Sequence, residues 1–372
     1  MSDLNFRLDM LEWAAGNIHL SLSDIVSKIS ESEKTQEKLL AGYFSVKQAE
    51  KFAEITKVPF GTLFLPSPPV EVYRPSIPDL RQKQNPEPLS DFFYEVLSDI
   101  KNKQGWFIDY LKDQDAPQLE FVAKYSDEAD LDYKIVSADI RQTINLPILS
   151  TNKTTRDNYL NDMIDRCEKV GILVFKNGVV KNASIKTLDV NEFRGFVLID
   201  RLAPVIFLNG RDAPSALIFT LAHELAHIWL GQSGVDDLDL YGNDPTEVLC
   251  NKIAADVLVP EVDFLSAWRR YDGNITEMAD YFCVSRLMLF RVALTHGKVT
   301  NMDYQIFHDA ELRASRDNSG SGGNFFNMVR PRNSKKLTNL VVNEALSGNL
   351  LLRDAGRILN VSPQNIMKLG GV

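Results

Sequence analysis

The sequence predicts an α+β fold: a mostly helical, multi-domain chain with one small antiparallel sheet packed on a buried helix that carries a metal-binding motif. Three observations lead there. Apolar residues recur at helical spacing through most of the 372 residues. The period shortens to that of strands only between about residues 171 and 210. Directly afterwards, residues 215–230 run without Gly or Pro and enclose His223-Glu224-Leu225-Ala226-His227. A chain of this length exceeds one ordinary core, so two or three domains are expected.

Residues 1–65 form the first expected domain. Phe6, Leu8, Leu11, Trp13 and Ala14 give one helical stripe, Leu22, Ile25, Val26 and Ile29 a second, with Ser21 or Ser23 as its cap. Val46, Ala49, Phe52, Ala53 and Ile55 give another. The order, ending in Val58-Pro59-Phe60-Gly61-Thr62-Leu63-Phe64, resembles a Cro/repressor-like helix-turn-helix domain. That resemblance implies DNA binding, and charge opposes it. The stretch 30–38, where a recognition helix would lie, is acidic, and residues 1–65 hold seven Lys/Arg against nine Asp/Glu. Phosphate contacts need local positive charge. A degenerate domain kept for packing or for gripping a partner is the favoured alternative. Seven prolines make residues 66–88 a linker.

The second domain is expected over 89–300. Phe92, Phe93, Val96, Leu97 and Ile100 begin a scaffold helix running to about Lys112. Residues 115–133 read as an acidic loop, and 137–146 and 155–170 as two helices, the latter with Tyr159, Leu160, Met163, Ile164 and Cys167 on one face. Ile172–Phe175 and Val179–Val180 read as two strands around a Lys176-Asn177-Gly178 turn. Phe193–Asp200 and Pro204–Gly210 read as two more. These strands form the core layer under the next helix, and also offer an edge on which an extended peptide can be laid as an added strand.

The helix at 215–230 carries the chemistry. Residues four apart share a face, so His223 and His227 can close on one metal ion, with Glu224 beside them to take a proton from a metal-activated water. The chain holds only five His, and two of them bracket this Glu. The alternative is a helix with two core histidines and a chance Glu. A catalytic zinc takes three protein ligands, and Glu247, twenty residues after His227, stands on a second helix stopped by Pro260. Asn251 shares its face and can hydrogen-bond a ligating imidazole. Cys250 and Asp256 are the rival ligands, read respectively as a small core residue and a cap or surface group.

Phe219–His227, followed by Glu247-x-x-Cys250-Asn251-x-x-Ala254-Ala255-x-x-Leu258-Val259-Pro260, resembles the ImmA/IrrE family of metallopeptidases, and the strands FRGFVLID and APVIFLN ahead of the helix extend the likeness. The resemblance implies a zincin-like peptidase core with Zn2+ on His223, His227 and Glu247 and with Glu224 catalytic. It implies an endopeptidase that cuts a regulatory protein, a helix-turn-helix repressor or an antitoxin-like protein, in mobile elements or stress responses. A binding protein that keeps the fold without catalysis, a transcriptional regulator or antitoxin-like partner, is the competing class.

Beyond Pro260 one helix carries Phe264, Leu265 and Trp268, and residues 275–293 resemble a second, degenerate helix-turn-helix, read as structural. His296 and Tyr271 are candidate oxyanion donors opposite Glu224, with surface exposure as the alternative. Residues 301–372 are expected as a basic helical extension. Asp317–Gly323 reads as a flexible loop, Arg330, Arg332, Lys335 and Lys336 cluster, and helices follow over 336–346 and 351–359. From residue 311 onward nine Lys/Arg face four Asp/Glu, so DNA contact through this tail or the N-terminal domain is the second partner expected beside a protein substrate. The net charge of −9 opposes indiscriminate nucleic-acid binding by the whole chain. No apolar run approaches a membrane span, the N-terminus lacks the form of a signal peptide, and Cys167, Cys250 and Cys283 make no disulfide framework, so a cytoplasmic location is expected.

Overall fold

The computed structural model describes residues 4–16, 20–56, 58, 60–68, 77–79, 88–126, 128, 130–147, 154–182, 186–236, 244–314 and 331–371. Most of the Pro-rich 66–88 segment, Asp127, residues 237–243, the Gly-rich stretch 317–323 and Arg330 fall outside these residues. The chain divides into two compact units, Met1–Arg74 and Pro75–Val372.

In the first unit, helices α1 (Leu8–Gly16), α2 (Leu22–Ile29), α3 (Glu33–Leu40) and α4 (Val46–Thr56) surround Phe6, Met10, Leu11, Ile25, Phe44 and Phe52. Ser21 caps α2 in a reciprocal capping box with Asp24. Strands β1 (Leu4–Asn5) and β2 (Tyr43–Phe44) pair antiparallel. The turn into β2 requires Gly42: its φ is +89°, and a Cβ there would lie 2.4 Å from the Phe6 carbonyl oxygen. The acidic stretch forms α3, of which only Leu39 is buried.

The second unit is built on one sheet of four strands, β3 (Leu173–Asn177), β4 (Gly195–Leu198), β5 (Val205–Asn209) and β6 (Gly234–Asp236), in the order β3-β5-β4-β6. The sheet is mixed, which corrects the antiparallel expectation: β3 and β5 run parallel, from Leu173 opposite Val205 to Asn177 opposite Asn209. The other two pairings are antiparallel. The expected hairpin after β3 does not form. The Asn177 side chain accepts from the Val179 N–H at 3.2 Å and donates to the Lys181 carbonyl at 2.8 Å, closing a local turn. Val179 then bridges Thr187, and β5 takes the place beside β3. At the outer edge, the Val235 N–H donates to the Pro78 carbonyl at 3.0 Å.

Both faces of this sheet are buried. Val174, Val197, Ile206 and Leu208 face a core shared with α6 (Tyr133–Thr143), α7 (Arg156–Lys169), α8 (Pro214–Leu230) and α9 (Pro245–Leu258). The alternate residues Leu173, Phe175, Phe196, Leu198, Val205 and Phe207 face a second core, under α5 (Asp91–Asp113) and the C-terminal helices. Helices α10 (Glu261–Arg270), α11 (Ile275–Tyr281) and α12 (Arg286–Thr295) join the first core through Phe264, Met278, Phe282, Leu289 and Val292, and α13 (Asn301–Ala314) follows. Among the described residues no helix is long and apolar enough to cross a membrane.

The expected C-terminal extension supplies the layer on the second face. Leu337, Val341 and Ala345 of α14 (Lys335–Leu346), Ala355 and Leu359 of α15 (Leu352–Leu359) and Ile366 of α16 (Pro363–Leu369) are buried in that core. Part of its basic cluster is engaged within the fold. The Glu168 carboxylate at the end of α7 accepts the backbone N–H groups of Lys335 and Lys336, each at 3.0 Å, at the start of α14. The Lys335 ammonium pairs with Asp165 at 2.6 Å, and Lys336 donates to the Glu168 carbonyl. Asn360, after α15, donates to both oxygens of Asp99 on α5, and the buried Lys103 pairs with the same carboxylate. Burial pushes the Lys103 ammonium below the ordinary lysine range. Glu168→Ala should leave those helix-start donors without their acceptor, at a cost of about 1–3 kcal/mol. Thermal melting and limited proteolysis check this: the melting temperature should fall, with cleavage appearing first within residues 331–371.

Candidate metal centre

The metal motif lies in α8, whose ends are set locally. Pro214 occupies its first turn, and Gly231 ends it in the left-handed conformation, where a Cβ would meet that of Ala123 at 2.6 Å. Every residue of 220–230 is buried, so the helix is enclosed on all sides. Two of its last carbonyls are satisfied by a neighbouring segment: the Ala123 N–H donates to Ile228 and the Tyr125 N–H to Trp229. Trp229 stacks on Phe121 and donates from Nε1 to Asp139 at 2.9 Å. Asp244 and Pro245 start α9, with the Asp244 carboxylate accepting from the N–H groups of Thr246 and Glu247. Glu247 therefore sits in the first turn, where a negative charge is favoured.

The two helices bring His223, His227 and Glu247 together. One ligand atom from each lies within 4.8 Å of the others, and all three side chains are buried. His223 Nε2 and His227 Nε2 are 3.0 Å apart, and they lie 3.1 and 3.4 Å from the two Glu247 carboxylate oxygens. Asn251, one turn beyond Glu247, places Oδ1 3.1 Å from His223 Nδ1. An amide oxygen only accepts, so the imidazole donates to it from Nδ1, an arrangement that leaves Nε2 as the nitrogen a metal would take in place of a proton. Burial pushes the Glu247 carboxyl up, but hydrogen bonds to His223 and His227 outweigh it and hold the group at about 2. The carboxylate is thus anionic at neutral pH. Two imidazoles and one carboxylate, converging in a buried site, suit a divalent cation that keeps a further position for a water or substrate.

Glu224 is fully buried and points to the sheet. A Cβ on Gly195 of β4 would lie 2.7 Å from Glu224 Oε1 and 2.7 Å from Thr220 Cγ2. The missing side chain at Gly195 is what lets the carboxylate lie against the strand. Its sequence signal was a single Gly opening an otherwise apolar strand, a mark of close approach, and it was passed over.

The rival ligands are placed elsewhere. Cys250 Sγ lies 3.7 Å from His227 Nδ1, behind the ring and away from the converging Nε2 atoms. It is buried, as a core residue would be, yet it touches one of the three candidate ligands. Asp256 is neither cap nor free surface group: it accepts a hydrogen bond from Ser137, which ties α6 to α9. Tyr271 packs on Tyr281, and His296 stacks on Phe264 with Nδ1 3.6 Å from Glu261. Neither makes a hydrogen bond or ring contact with Glu224 or the converging trio, so the expected oxyanion role gains no support from geometry.

Residues 167–291 match the Peptidase_M78 family model, described as an IrrE N-terminal-like domain. Residues 333–371 match a domain of unknown function, DUF8813, which spans α14 to α16. Among curated proteins none matches the chain.

Removing a ligand and removing its support should differ in degree. His223→Ala should abolish stoichiometric metal binding and lower the melting temperature, since metal binding is coupled to folding. Asn251→Ala should keep the metal but weaken its affinity by about 10–100-fold. Metal analysis of the purified chains and chelator competition read the two effects. Acid adds a third reading. A carboxyl held below its ordinary value favours the fold above that value, and the contribution is lost as pH falls through the folded one. The chelator-treated chain should lose stability between about pH 4.5 and 2, and Glu247→Gln should lack that step in acid melting curves.

Proposed function

We propose that this chain, whose residues 167–291 form a domain of the ImmA/IrrE type, is a zinc-dependent endopeptidase that hydrolyses a peptide bond in a regulatory protein. The observation that carries the reading is the convergence of His223, His227 and Glu247 with Glu224 on the same buried helix. That trio would hold zinc, which would supply Lewis acidity toward a water and a carbonyl. Glu224 accepts the proton of the attacking water and passes it to the departing amine nitrogen. Asn251 keeps the His223 ring turned, and Gly195 leaves room for the Glu224 carboxylate against β4. The apolar surroundings of α8 exclude bulk water and strengthen each of these interactions.

The substrate follows from the resemblance rather than from geometry: a helix-turn-helix repressor or an antitoxin-like protein. The N-terminal unit serves this reading as a module that grips the protein partner, since its α3 alternates Glu33 and Glu37 with Lys34 and Lys38 and offers no uniform positive face to phosphates.

Co-expression with a helix-turn-helix regulator from the same genome tests the proposal. The unaltered chain should shorten that regulator. Glu224→Gln should retain zinc and the melting temperature while cleavage falls by ~10²-fold or more. Cleavage by both, or by neither, overturns the hydrolytic reading.

A further inference from the structure

A cleft of about 480 Å³ lies beside the metal centre, between α9 and α12, with Tyr133 of α6 and Phe219 of α8 in its wall. Its size is that of a pocket for a small ligand or a pair of side chains. Phe219, Val248, Val259, Met288 and Val292 make an apolar floor and sides. The cleft reaches the centre at two points. Asn251, which lines it, is the residue that holds His223 Nδ1, and the Phe219 ring lies 6.4 Å from the His223 ring, one turn earlier on α8.

The lining carries a net positive charge. Lys252 and Arg291 stand on the cleft, and among the described residues neither has a carboxylate partner. The Arg291 guanidinium lies 5.4 Å over the Tyr304 ring, and it also borders a smaller polar cavity with Asn301, His308 and Asp309. The one carboxylate of the lining, Asp256, accepts from the Ser137 hydroxyl, a neutral donor that leaves its charge in place, so the lining carries two cations against one anion. His296, also in the lining, faces Glu261, which is not a lining residue. Apolar walls beneath a lining with a net positive charge favour an occupant with a bulky apolar part and a negative charge next to it.

We infer that this cleft is the specificity pocket of the site, taking a bulky apolar side chain of a protein substrate whose neighbouring residue is Asp or Glu. The inference rests on the hydrolytic reading for the word substrate, and on the cleft itself for the chemistry recognised. The occupant's apolar group lies against Phe219 and Met288, and its carboxylate meets Lys252 and Arg291. A segment so held also presses on Asn251, which couples occupancy to the orientation of His223.

The test uses the zinc-loaded full chain carrying Glu224→Gln, which stops turnover, and blocked hexapeptides of alanine that differ only in a central Phe-Glu or Phe-Lys pair. Calorimetry or NMR titration should give the Phe-Glu peptide the tighter binding by about tenfold or more. A central Ala-Glu pair should lose that binding. Adding Lys252→Glu with Arg291→Glu should abolish or reverse the preference. Both positions are exposed, so zinc content and melting temperature should stay unchanged. Equal affinity for the two peptides, no measurable binding of either, or a preference that survives charge reversal overturns the inference. The two readings fail separately. Preference for Phe-Glu in a chain that cuts no peptide or protein removes the hydrolase and leaves the pocket. Cleavage of both hexapeptides at equal rates by the zinc-loaded chain with Glu224 intact removes the pocket and leaves the hydrolase.

Discussion

Two helices held together through buried polar groups are the constraint on which the rest of the second unit depends. Burying imidazoles and carboxylates in an apolar core costs several kcal/mol per unpaired group. Here each group finds another. Asn251 holds His223, His223 and His227 meet Glu247, and Cys250 stands behind His227. The apolar contacts of α8 and α9, through Leu221, Leu225, Ile253 and Val257, would tolerate a slip of the two helices with some repacking. The polar chain would not, because a one-residue slip on either helix removes every partner at once. The register of α8 against α9 is therefore set by the same atoms that converge on the metal position.

The sheet converts that local constraint into a layered body. Its strands alternate between two cores, and the second face is covered by α5 and the C-terminal helices. Glu168 ties the start of α14 to the end of α7, and Asp99 ties the end of α15 to α5. The family-matched module at residues 333–371 is thus a structural wall of the sheet from which Gly195 supports Glu224.

Much of this was legible in the sequence, and the gaps have physical reasons. The limits of α8 and α9 were readable because Pro, Gly and an Asp cap act locally: Pro214 and Gly231 bound one helix, Asp244 and Pro260 the other. The spacing of His223, His227 and Glu247 could be read because a helix repeats every 3.6 residues. Strand partners could not, since pairing is non-local, and the Asn177 turn that prevents a hairpin uses a side chain whose targets depend on the folded backbone. The continuous apolar runs of β4 and β5 did carry a signal of burial on both faces. Taken only as the layer under α8, they hid the role of the C-terminal helices. The contacts of Asp256 and Cys250 are set by which face of α9 meets α6 and α8, and neither spacing nor composition determines that.

The outer edge of β6 has a consequence for the solution behaviour of the protein. An unpaired edge strand is a template for other chains, and folded proteins guard it. At Val235 the edge donor is already taken by the carbonyl of Pro78, and a proline has no N–H with which to continue the ladder. The chain thereby terminates its own sheet on that side, so a second molecule meets a stopped ladder instead of an open one, and growth into β-linked aggregates is discouraged where the sheet lies closest to its chemistry.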